Sequence, residues 1–500
     1  MQLYPRARAE RPSIHHPSVR PRRLAIIKAA TFNLILLQVL FLGLFSYIFG
    51  SIFQQTTHIH NLNVLFVDYD GGAIGDSIRS AYEKVRGPGF PSLIENSVTE
   101  YPQSSTVGDA VCNIDYWGAL YTSPNASNQL TAALSGGSAA SQYDRSDVLT
   151  MVWNQARYPT VVDSAISNSL KSLAETARVA YSTTNGQQAL ESLNSSDADA
   201  VAVMYEPWTL SSVNLQPTSQ GSRLIYNTLV IILIIIQEFF FLGYVNGLYV
   251  QFKLYASVAP HRIAIARQCI SAVYTLIGSL CTTGAIWAFR NGWDVNGNQF
   301  VLTWTSLWLF AHLNFLVLDA FTVWLPPPYV PMSLISWVVL NSTSVLLPFG
   351  LSPGFYHWGY ALPAHAIYQI FIDIWSGGCN PQLDYALPVL FAWEVVAMAV
   401  STIGVYRRAH YACLAQEQED KSCRDNIATA LADLRQTLAM DQKTAPDSKE
   451  EGGTVAQRSA ASAAVCTERE KLVDIMRHEI LRTRDDETSN GMTFALPFKD

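Results

Sequence analysis

The sequence predicts an α-helical polytopic membrane protein with six transmembrane helices and an α/β extracytoplasmic domain inserted between helices 1 and 2. Three observations carry that prediction. The 500 residues are 49% hydrophobic and only 15% charged, and the apolar ones are clumped into charge-poor stretches about 20 residues or more long, the length a helix needs to cross roughly 30 Å of hydrocarbon. Lys and Arg cluster at alternate ends of those stretches. One long segment, between the first two stretches, has the alternating strand-like and helix-like pattern of a folded domain instead.

In order, residues 1–28 read as a basic cytoplasmic tail, with Arg6, Arg8, Arg11, Arg20, Arg22, Arg23 and Lys28 against the single acid Glu10. The first span covers 29–53. It is too long for a signal peptide, lies behind a 28-residue tail and lacks a small-x-small cleavage site, so it reads as a retained signal anchor. The other five stretches are Leu224–Tyr249, Gln268–Phe289, Gln299–Leu325, Met332–Leu351 and Tyr385–Tyr406, within 224–406. Positive residues stay on the cytoplasmic side of a membrane helix. Six crossings from a cytoplasmic N-terminus place Lys253, Arg262 and Arg267, and then Arg407 and Arg408, on that side as well. Residues 54–223 hold 16 acidic and 8 basic residues, and 352–384 has no Lys or Arg, so both segments are expected outside, the second as a membrane-proximal outer segment.

Within 54–223, short β-rich runs at 62–70, 116–123, 147–153 and 200–205 alternate with helix-like segments. The longest helix candidate spans 160–181, with Val161, Ile166, Leu170, Leu173, Ala177 and Ala180 as its apolar stripe. Two sequons, at Asn125 and Asn194, are glycosylation candidates on this outer domain; a third, at Asn341, falls inside a span and is expected to be silent. Cys269 and Cys281 lie in a membrane helix, and Cys413, Cys423 and Cys466 on the reducing side, which leaves Cys112 and Cys379 as the outward pair and a disulfide candidate. Cys413 is read as a free thiol or a palmitoylation site. Residues 407–500 form a cytoplasmic, largely disordered tail with two short stripes, Ile427–Leu431–Leu434–Leu438 and Leu472–Ile475–Met476–Ile480, read as marginal helices or docking surfaces.

Enzyme signatures fail on physical grounds, so the chain is not expected to be an enzyme or to need a cofactor or metal. It contains no Gly-Lys pair and hence no phosphate-binding loop. Gly350-Leu351-Ser352-Pro353-Gly354 matches the hydrolase elbow in form, but the oxyanion donor would be the N–H of Pro353, which has none. Asp68-Tyr69-Asp70-Gly71 resembles the paired aspartates of phosphoryl-transfer enzymes, yet Gly72 stands where Thr is expected, and the string reads as a strand-to-turn corner. His478-Glu479 lacks a second histidine for zinc.

Glu238, Asp319 and Glu394 lie in the second, fourth and sixth spans, where a charge is costly and marks a pathway, a relay or a buried pair. No Lys or Arg is expected at similar depth. His312, seven residues before Asp319, shares its helix face, with Asn314 and Asn341 as expected neighbours. A proton-linked or polar-substrate cavity is one reading of these groups. Hydrogen-bonded glue between helices is the other.

The strings NVLFVDYDGGAIG, DYWGALYTSPNAS, WNQARY, QEFFFLG and GYALPAHAIYQIFIDIWSGG, in that order after one span, resemble the fungal nitrosoguanidine-resistance family of DUF3533-type membrane proteins over about residues 25–410. That family looks related to the membrane subunits of type-2 ABC exporters and to bacterial phage-infection proteins. The resemblance implies a transporter-like six-helix core linked to resistance to toxic compounds, with no catalytic residues. Two function classes follow. One is an ABC-2-type transporter-like protein without its own ATPase, exporting drugs or moving lipids, driven by a separate ATPase docked on 251–268 or by the proton gradient. The other is a non-transporting scaffold or regulator whose outer domain binds a partner. Expected partners are membrane lipids, an amphipathic drug or lipid, and a separate ATPase or a second copy of the chain, with no nucleic acid. The expected location is the plasma membrane or an endomembrane, with both termini cytoplasmic.

Overall fold

The structure, a computed structural model, describes residues 15–218, 229–290, 293, 295–444 and six positions between 469 and 477. Six helices in it are long and apolar enough to cross a membrane. The chain divides into two compact units, one of residues 1–217 with 335–362 and the other of 218–334 with 363–500. This division differs from the sequence-based segmentation, since it groups the first apolar helix and most of the fifth with the sheet and the other four apolar helices in the second unit.

The first unit begins with α1 (Arg20–Ser51), nine residues earlier than the expected span, because the basic run before Ala29 has no helix breaker after Pro21. The sheet comprises β1 (Asn63–Asp68), β2 (Ser92–Asn96), β3 (Gly118–Thr122), β4 (Leu149–Trp153) and β5 (Leu210–Asn214). Its order is β2-β1-β3-β4-β5, parallel except for the antiparallel β3–β4 pair. Val64 to Val67 are all buried, since helices cover both faces of β1 and leave no polar side. One face packs on α2 (Ala73–Val85); the other packs on α3 (Ser104–Cys112), where Leu65, Val67 and Ala119 meet Val107 and Val111. The short helices α4 (Ala126–Leu134) and α5 (Ser138–Ser141) follow β3. The long helix runs from α6 (Pro159–Val161) through a π-helical stretch (Val162–Ser167) into α7 (Asn168–Ser192), further than the expected 160–181, and every residue of its predicted stripe is buried.

One expected strand is a helix. The run 200–205 lies in α8 (Ala198–Tyr205), because the Asp197 side chain caps the N-terminus by accepting from Asp199 N–H and the segment that follows is alanine-rich. The strands the sequence did not predict, β2 and β5, are the two edges, half-buried and short of β-branched residues.

The second unit contains α9 (Val230–Gln251), the short α10 (Leu254–Ser257), α11 (Pro260–Ala288) and α12 (Gly297–Trp324). The fifth apolar helix, α13 (Val330–Leu346), crosses the division. Beyond it come α14 (Pro363–Trp375) and α15 (Leu383–Thr444). Helix α12 is the axis of this unit: all residues from Phe310 to Asp319 are buried, as expected of a helix enclosed on all sides by α9, α11, α14 and α15. Within the expected membrane-proximal outer segment 352–384, α14 is buried along almost its whole length.

The tail also departs from expectation. Helix α15 continues to Thr444, well past 407, because residues 409–444 are rich in helix formers and contain neither Pro nor Gly. Ile427 and Leu431 lie on this extension; the side chains of Leu434 and Leu438, and Leu472, Ile475 and Ile480 of the second stripe, lie outside the described residues. So do Cys466, His478, Glu479 and the tail arginines before His15.

Candidate functional site

Helical periodicity places the buried charge. On α15, Glu394, Ser401 and Arg408 recur every seven residues, two turns apart on one face. On α12, His312 and Asp319 have the same spacing, and on α11 Arg267 and Ser271 are one turn apart. Three polar faces therefore meet inside the second unit.

Asp319 is fully buried, yet it is not alone. Its Oδ1 accepts from Arg267 Nη2 at 2.7 Å and lies 2.9 Å from Arg408 Nη1, while its Oδ2 accepts from Ser401 Oγ at 2.5 Å. The expectation that no Lys or Arg lies at this depth is thereby corrected. Arg267 and Arg408 read in the sequence as cytoplasmic flanks, but α11 and α15 run past the apolar stretches and carry both guanidinium groups into the bundle, where Arg267 is 3% and Arg408 3% exposed. The remaining donors are shared out. Arg267 Nη1 donates to Tyr255 Oη at 3.1 Å, and Arg408 donates to Tyr255 Oη at 3.4 Å and to Thr322 Oγ1 at 2.6 Å. The Tyr249 ring lies under the Arg267 guanidinium at 5.1 Å, a cation–π contact. One carboxylate against two guanidinium groups leaves a net single positive charge.

Two turns along the bundle, His312 Nδ1 lies 2.6 Å from Glu394 Oε1, and His312 Nε2 lies 3.0 Å from Ser271 Oγ. The structure thus pairs His312 with Glu394 and Asp319 with the arginines, as two layers of one polar face. Glu238, on α9, is buried with its Oε2 unpartnered. Asn314 donates to Phe310 O within its own helix.

The sites predicted on the first unit have their own geometry. Asn125 is exposed and left-handed (φ 59°) just before α4, and Asn194 is exposed with its Oδ1 accepting from Ser196 N–H at 3.1 Å. Asn341 is fully buried in α13. Cys112 and Cys379 are each disulfide-bonded, whereas Cys269, Cys281, Cys413 and Cys423 are free. At the Asp68 corner, Asp68 Oδ1 accepts from the N–H groups of Asp70 and Gly71 and from Thr122 Oγ1, and Oδ2 pairs with Arg79 at 2.7 Å. Asp70 in turn accepts from the Ser127 N–H and hydroxyl. These hydrogen bonds occupy both carboxylates within the corner, and among the described residues no cluster suited to a metal ion is present.

With that geometry in place, comparison with known proteins decides the family. The family model described as a protein of unknown function, DUF3533, matches residues 33–399. The chain belongs to the DUF3533 family. This DUF3533 protein is similar to an uncharacterized endoplasmic reticulum membrane protein of Saccharomyces cerevisiae, with 23% identity over 411 residues that cover 72% of this chain and 76% of the relative. No solved structure matches it. Both findings agree with a multi-pass membrane protein.

Sequence reasoning missed Arg267, Ser271, Ser401, Arg408 and Tyr255 in this DUF3533 protein. A signal was present in the seven-residue spacing of Glu394, Ser401 and Arg408. It was hidden because an arginine next to an apolar stretch reads as a topology marker before it reads as a partner.

Proposed function

We propose that the protein is a transporter-like membrane subunit, without an ATPase of its own, that moves an amphipathic drug or a lipid across the bilayer and so contributes to resistance to toxic compounds. The observation that carries this reading is the Asp319 cluster, in which α11, α12 and α15 are tied together by one buried carboxylate shared between two arginines. Burying three ions costs several kcal/mol each before pairing, and apolar residues of similar size would hold the helices as well or better. Charge kept at such a position supports a polar pathway or a two-state joint.

The test compares cells making the wild-type protein, Asp319→Asn and Glu394→Gln at matched membrane levels, loaded with a fluorescent amphipathic cation or a short-chain fluorescent lipid. Loss of export in the variants at normal level is the expected result. Unchanged export in both would end the reading.

A second reading, a non-transporting scaffold, is favoured by one observation: every oxygen of the Asp319 carboxylate is paired and inaccessible, as in static glue. Under it, both variants lose membrane level and resistance together. For location, the printed name of the yeast relative supports the endoplasmic reticulum, and an outward-facing α/β domain supports glycans at Asn125 or Asn194.

A further inference from the structure

The layer of Ser271, His312 and Glu394 has a proton inventory that its hydrogen bonds restrict. Ser271 Oγ lies 3.0 Å from Gln268 O, where it donates its only hydrogen. His312 Nε2, 3.0 Å from the same Oγ, must then carry a hydrogen and donate it. On the other side of the ring, Nδ1 and Glu394 Oε1 are 2.6 Å apart, a contact that requires one proton between them. The second carboxyl oxygen, Oε2, is buried and has no partner. A single empty protonation site therefore points into the bundle.

A route reaches it. Ser271, Thr275, Ser279 and Thr283 recur every fourth residue along one face of α11, each at most 2% exposed, and Thr283 Oγ1 is also unpartnered. Among the titratable and charged groups on the packed elements are Arg267 and Tyr274 on α11, Asp319 on α12, Arg408 on α15, Glu238 and Tyr249 on α9, His365, Tyr368 and Asp373 on α14, and Tyr385 on α15. The net positive charge of the Asp319 cluster opposes loading of a further proton and favours its release.

We infer that Ser271, His312 and Glu394 form a proton-carrying site in which Glu394 Oε2 is the loading atom. This rests on the transport reading and names the proton as its coupling ion. Loading moves one proton from water to Oε2 and converts the neutral imidazolium–carboxylate pair into an imidazolium and a carboxylic acid. Unloading returns that proton to water. No bond between heavy atoms changes.

The test is infrared difference spectroscopy of the full-length protein in lipid nanodiscs during a pH titration, with the proton itself as the probe. The wild type should show a protonated-carboxyl C=O band that grows as pH falls, because loading places a proton on Oε2. Glu394→Gln should lose the band. Should that variant not fold, His312→Gln provides the second reading: the band persists, but its midpoint moves by at least tenfold in proton concentration, because the carboxyl loses the group that shares its proton. A band absent from the wild type, or one unchanged in the variants, overturns the site. The two proposals fail separately: a titrating Glu394 band with unaltered export in both Glu394→Gln and Asp319→Asn cells leaves the site standing and removes the transport reading.

Discussion

Asp319 shows how far a single side chain depends on its partners. With the carboxylate removed, two guanidinium groups are left buried beside each other; with Arg267 removed, a one-to-one pair with Arg408 remains. Breaking a buried pair costs about 3–5 kcal/mol, because an uncompensated charge stays behind. Asp319→Asn is therefore expected to lower the melting temperature of the purified protein far more than Arg267→Met does. Equal shifts for the two variants would mean that the ions do not act as one cluster. That cluster was half legible: Asp319, Glu394 and His312 announce themselves as polar residues in apolar stretches, whereas their arginine partners stand at the ends of helices whose length the hydropathy pattern understates.

At the scale of elements, the corner after β1 is closed by backbone and side chain together. A Cβ on Gly75 would clash with Asp68 Oδ2, and Asp68 cannot swing away because Thr122, two backbone N–H groups and Arg79 all hold it. Gly75→Ala is expected to cost about 1–3 kcal/mol by overpacking, read as faster amide exchange in β1 and α2. The cap of α8 sets a pH dependence. The Gly137 N–H and then the Asp199 N–H hold the exposed Asp197 carboxyl below its usual range. A depressed folded value means that its stabilisation is present above the unfolded pKa of about 3.9 and is lost as pH falls through the lower folded value. Asp197→Asn should thus be less stable than wild type near neutrality, and the difference should vanish in strong acid. A difference that persists there would show that shape, not charge, does the capping. The same cap explains why 200–205 defeats a β-propensity reading: local hydrogen bonding chooses between helix and strand where composition allows both.

For the whole molecule, the agreement of three basic clusters gives a topology that can be checked. A C-terminal tag is expected to resist protease added to intact cells and Asn125 or Asn194 to carry glycan; a tag cleaved from outside would overturn the six-span arrangement. If the protein resides in the endoplasmic reticulum, that glycan should stay sensitive to high-mannose-specific endoglycosidase. Non-reducing peptide mapping should recover Cys112 linked to Cys379, the outward pair of the sequence.

The sequence alone determined the class of this protein, because the bilayer demands about 20 apolar residues per helix and tolerates few charges, a requirement written in consecutive positions. It also determined the central strands of the inserted sheet, whose burial on both faces makes each a continuous apolar run. Only the tertiary structure decided the edge strands, the helix at 198–205, the burial of α14 and the partners of Asp319. These depend on contacts between residues far apart in the chain, 52 positions for Arg267 with Asp319 and 82 for Ser401 with Asp319, and hydropathy read along the chain has no term for a neighbour on another helix.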